Sequence, residues 1–169
     1  MALSARAHFA LTQQIVPGTI NALLNAAFAW WLHGTKDALH LWADPAYAGD
    51  LIATGFLLPS ITWLVLRPLL QSQARKGKAP ALTGIPTPWL ARWIPDRLWA
   101  GAVVIGLLGI VLVGGGTIVV LQLFGAPSFS GAGYTAFKGL YGGLFSFVLQ
   151  PAMVFAALVP LLPAPAPAR

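Results

Sequence analysis

Charged residues are so sparse along this chain that they serve as punctuation between long apolar runs. Positions 15–32 carry no charge. A second run, 51–66, lies between Asp50 and Arg67. Positions 98–137 are uncharged over 40 residues, and positions 139–168 over 30. A membrane-crossing helix needs about 20 apolar residues, so the 40-residue run is too long for one span. Gly125-Ala126-Pro127-Ser128 ends one helix inside it and turns the chain. The pattern predicts four helices, over roughly 15–41, 50–71, 98–124 and 132–160. Ala27-Phe28-Ala29 has the small-residue form of a leader cleavage site. Such a leader would be long and would contain Asn21 and Asn25, so a retained first helix is expected.

Composition agrees with this division. Hydrophobic residues make up 57% of the 169 and charged residues 8%, with a mean hydropathy of +0.75. Soluble domains are about 25% charged. A soluble enzyme, a disordered chain and an ordinary nucleic-acid-binding domain are excluded on these figures. The chain has no Cys, which removes disulfides and thiolate chemistry.

The net charge of +6 matters through its distribution. The connection between the second and third helices holds Arg75, Lys76, Lys78, Arg92 and Arg97, with Arg67 at its edge, against Asp96 alone. The connection between the first two holds Lys36 against Asp37, Asp44 and Asp50. Lys and Arg in short loops mark the cytoplasmic side, so the 72–97 loop and both termini are expected there. Trp89 and Trp93 sit among the arginines, as residues at headgroup level do, and Trp89–Trp93 has the composition of a short interfacial helix. Arg67 can snorkel towards the same interface.

Residues 33–49 and 115–131 match at an offset of 82, with Gly34, Thr35, Leu39, Leu41, Pro45 and Gly49 identical. Arg67-Pro68 answers Gln150-Pro151 with one residue inserted. The expected fold is therefore an all-α integral membrane protein: a four-helix transmembrane bundle of two tandem parallel hairpins, N-in and C-in. Hairpin 1–71 is followed by a basic, Pro-rich loop (72–97), hairpin 98–162 and a disordered tail (163–169). The match also extends the first helix to about Trp42. On that extension His33, Lys36, Asp37 and His40 share one face, a polar stripe that the second copy lacks.

Candidate site residues follow from what is polar inside apolar segments. Asp50 reads either as the N-cap of the second helix or as a binding carboxylate. Lys138 reads either as a lysine snorkelling to the outer headgroups or as a partner of Asp50 at similar depth. His33, Asp37 and His40 would share that pocket. Asn21 and Asn25, one turn apart, read as glue between helices or as a polar lining. Gly139/Gly143 and Ala102/Gly106 are small-residue pairs for close helix packing. No metal, haem or other cofactor is expected, since two histidines at i, i+7 on one helix are a poor ligand set. Expected partners are membrane lipids and either further copies of the chain or a larger membrane complex, with no nucleic acid. Few catalytic groups are present, so the protein is not expected to be an enzyme. Two functions are open: an oligomeric transporter or channel component of the bacterial inner membrane, or a non-catalytic accessory or assembly subunit. Transport predicts polar groups converging on one cavity. An accessory role predicts polar groups pointing in unrelated directions and a free apolar Gly/Ala face.

Overall fold

The computed structural model describes residues 11–78, 82 and 87–158. It is all-helical. A π-helical turn (Leu11–Ile15) leads into α1 (Val16–His33), followed by α2 (Ala48–Arg75), a 3₁₀ turn (Trp89–Trp93), α3 (Leu98–Leu123) and α4 (Gly131–Leu158). All four helices are long and apolar enough to cross a membrane, which makes this a multi-pass membrane protein. The expected tail 163–169, Arg6, Pro80 and Pro86 lie outside the described residues.

The helices of each expected hairpin, α1 with α2 and α3 with α4, are not the main packing pairs. α1 lies antiparallel on α4, α2 lies antiparallel on α3, and α2 runs parallel to α4, giving the spatial order α1–α4–α2–α3. The expected hairpins thus exist as connections without being packing units. Small residues decide the pairing, because they let backbones approach. Gly139 faces Ala22 and Ala26, and Gly143 faces Ala22. Ala102 is buried, and its carbonyl accepts from Ser60 at 2.9 Å, while Gly106 lies against Phe56 and Ser60. Both small pairs are used inside the bundle, one on each antiparallel seam. α4 is consequently the central helix. Of its most apolar window 67% is buried, against 17% for α1.

The first helix stops at His33, well short of Trp42, and the polar stripe does not form. Residues 34–47 make an irregular cap instead. Leu39 and Leu41 are buried while His40 and Trp42 are exposed, a period-two alternation that belongs to extended chain. Leu39 exchanges two backbone hydrogen bonds with Phe129, at 2.7 and 3.0 Å, and Lys36 accepts from Gly131 N–H at 2.8 Å. The connection between α1 and α2 therefore reaches across the top of α4, which seats α4 between them. Its offset partner, around Leu121, remains helical. Lys36, Asp37 and His40 all point to solvent. The Asp44–Pro45 peptide bond is cis.

Two described parts of the basic connection are helical. α2 continues to Arg75, and Trp89–Trp93 forms a helical turn that buries Leu90 against the far end of α4 while Trp89 and Trp93 stay exposed. The Gly114–Gly116 run lies where α3 passes through a π-helical stretch, Ile110–Gly115. Gly114 sits there against the Leu51 carbonyl, which makes it a packing glycine.

Candidate functional site: an ion pair held between two spanning helices

Asp50 occupies the first turn of α2, but it is not the cap. Tyr47 holds the N-cap position, and no side chain caps the helix. The Asp50 carboxylate turns across to α4 instead. Lys138 Nζ lies 3.1 Å from Oδ2, and Tyr134 O–H donates to the same oxygen at 2.5 Å. Thr54, one turn along α2, donates to Oδ1 at 3.1 Å and accepts from Lys138 at 2.7 Å. The ammonium also lies 5.2 Å from the centre of the Tyr141 ring, whose hydroxyl donates to the Leu51 carbonyl at 2.9 Å.

Lys138 therefore does not snorkel. Its side chain is 4% exposed, against 26% for Asp50. The reason lies in where carboxylates are available. A buried lysine needs a neutralising anion and acceptors for its N–H donors. Charge–charge attraction is strong where water is scarce. Asp50 meets both needs, and the parallel run of α2 and α4 brings it to the right height.

Of the histidines expected to share this pocket, His33 does so indirectly. Its ring meets Tyr134 edge-on, with centroids 5.4 Å apart. His40 and Asp37 remain outside, on the exposed cap. Asn21 and Asn25 lie on a different seam. Asn21 donates to Ser146 at 2.7 Å, and Asn25 donates to the Asn21 carbonyl at 2.9 Å. They join α1 to α4 and do not line a path with Asp50.

Tyr134, Tyr141, Thr54 and Tyr47 were not among the expected site residues. The signal was present in spacing: Tyr134, Lys138 and Tyr141 recur at i, i+4, i+7, and Asp50 and Thr54 at i, i+4, so each set shares a helix face. Tyr47 closes the roof, buried beneath Phe129 and donating to the Pro127 carbonyl at 2.8 Å. Burial pushes its phenol above the ordinary value, so the hydroxyl stays a donor at neutral pH. Replacing Tyr47 with Phe should cost about 1 kcal/mol in a thermal or denaturant unfolding experiment in detergent. An unchanged midpoint would show that the bond between the two outer connections does not hold them.

Two further polar side chains are buried away from the cluster. Gln150 is 3% exposed with no partner for Oε1, and Arg67 is 9% exposed. A groove of about 660 Å³ runs between α3 and α4 past Val113, Gly116, Val120, Phe137, Tyr141 and Leu144. It is apolar, and the ion pair does not open into it. No family model matches this chain, and neither a curated protein nor a solved structure matches it.

Proposed function

We propose that this protein is a small multi-pass component of the bacterial inner membrane, oriented N-in and C-in, acting in a transport-type role as an oligomer. The observation that carries the reading is the Asp50–Lys138 pair. It couples two spanning helices, and its carboxylate keeps 26% of its surface open. Ionisable groups at membrane depth are costly to place there and are commonly functional. A bound cation or proton competing with Lys138 for Asp50 would loosen α2 from α4, which ties occupancy to helix arrangement. Below the cluster Trp63, Phe145, Leu149 and Met153 are buried and fill the interior. A path to the basic face would have to be completed between protomers, which is why an oligomer is part of the proposal.

The accessory reading has its own support. Asn21 and Asn25 serve a different seam from Asp50, and the large groove is apolar. Against it, the Gly/Ala faces are occupied within the bundle. The two readings separate in proteoliposomes loaded with a pH-sensitive dye and challenged with H⁺, Na⁺ or K⁺ gradients. Transport predicts a flux that Asp50→Asn lowers at least tenfold while the variant still elutes as a folded species. No flux from the wild type, together with a membrane protein co-migrating at fixed ratio from native membranes, would establish the accessory role instead.

A further inference from the structure

At the end of α2 opposite the ion pair, Arg67 is a buried cation with no ion-pair partner among the described residues. It lies one turn past Trp63, whose indole N–H donates to the Leu98 carbonyl at 3.0 Å. Leu98 is the first residue of α3, so Arg67 sits at the level where the apolar part of α3 begins. The guanidinium lies 5.3 Å from the centre of the Trp63 ring. Among the described residues its one hydrogen-bond contact is with the Pro95 carbonyl at 3.5 Å, longer than a good N–H···O bond of about 2.7–3.2 Å. A guanidinium has five donors, and burying one without an anion is expensive.

The whole chain has four acidic side chains, all aspartates. Asp50 is engaged with Lys138 at the far end, Asp37 and Asp44 belong to the exposed cap, and Asp96 is exposed and forms no ion pair with Arg67. Among the described residues no carboxylate pairs with Arg67, and an anion from outside the chain would supply the missing counter-charge. Two cavities flank this level. One, of about 390 Å³, has Pro95, Arg92 and Asp96 in its wall; the other, of about 320 Å³, is bordered by Pro68, Gln71, Ser72, Arg75 and Lys76. Trp89, Trp93 and Trp99 are exposed around them, as aromatic residues at a headgroup layer are.

We propose that Arg67 is the recognition residue of a phosphate site for an anionic phospholipid, with Arg92 and Arg75 at its rim. The planar guanidinium fork matches two phosphate oxygens, and the surrounding excess of positive charge favours a headgroup with net negative charge. Asp96, open to water, is the one opposing charge nearby, and Arg97 adjoins it. The site differs from simple snorkelling because the cation is enclosed by protein and stacked on Trp63.

The test uses the full chain purified in a phosphate-free maltoside detergent. Dioleoylphosphatidylglycerol, dioleoylphosphatidylcholine or inorganic phosphate is added, and retained ligand is read by native mass spectrometry alongside the thermal midpoint. One equivalent of phosphatidylglycerol should be retained and should raise the midpoint, with phosphatidylcholine weaker. Arg67→Gln should bind it about tenfold more weakly or worse, the loss expected for a charge-assisted bond. Arg67→Lys, which keeps the charge and guards against a folding failure, should also bind more weakly because the fork is gone. The double variant Arg75→Gln/Lys76→Gln should lose less. Wild-type affinity in both Arg67 variants, or an equal loss in the double variant, would overturn the site in favour of a diffuse basic collar. Inorganic phosphate acting as well as the lipid would keep the oxyanion site and overturn the lipid as its source. Retention of a partner protein in place of lipid would overturn the proposal.

Discussion

Lys138→Met should destabilise the protein by about 3 kcal/mol, read as a shift in reversible unfolding in mixed micelles. The substitution leaves the Asp50 carboxylate with Tyr134 and Thr54 but without its cation, at a position where water reaches it only in part. Removing one member of a buried pair strands the other, and that stranding dominates the cost. The lower end of the usual range applies because Asp50 retains 26% exposure. The double variant Asp50→Asn/Lys138→Met should recover most of the loss, since neither charge is then unpaired. If Lys138→Met unfolds at the wild-type midpoint, or if the double variant is no better than the single one, the pair is not what fixes α2 against α4.

Gly109→Ala should be comparably damaging, at the upper end of or above the ~1–3 kcal/mol typical of overpacking. A Cβ at Gly109 falls on the carbonyl oxygen of Gly55 and 2.9 Å from the Pro59 ring. A flexible side chain could move aside, but a backbone oxygen inside a helix cannot do so without shifting the helix. Gly116→Ala is the matched control, because a Cβ there meets nothing within 4 Å. It should remain at or slightly above wild-type stability, since alanine is the better helix former. Equal behaviour of the two variants would mean that the α2–α3 seam is loose enough to absorb a methyl group, contrary to the close approach of Gly55 and Gly109.

The contrast between these two glycines shows what a sequence withholds. Both lie in the same apolar helix. Only the partner helix distinguishes a glycine that admits a neighbouring backbone from one that faces a groove. The expected seam through Ala102 and Gly106 continues through Gly109 and Gly114, whose neighbours lie on the partner helix. The outer cap illustrates another limit. Leu39-His40-Leu41-Trp42 alternates with a strand period, but the offset match with a helical segment favoured continuing the helix to Trp42. Its partner strand is the lone residue Phe129, 90 positions away. No local pattern could reveal that pairing.

Four spans, their approximate limits and the gathering of positive charge at one end were determined by the sequence. Transfer of apolar surface from water and exclusion of charge from a bilayer act on each segment separately, so they leave a local record. The sequence also brought Asp50 and Lys138 to a similar height. Only the tertiary structure decided that α4 lies between α1 and α2, turning Lys138 inward onto Asp50 and Tyr134 and placing Asn21 on another seam. It alone left Arg67 enclosed without a paired carboxylate among the described residues. These outcomes depend on which helix faces approach closely, and that is set by side-chain shape, small-residue contacts and the cap joining Leu39 to Phe129. Hydrophobicity along the chain has no term for any of them.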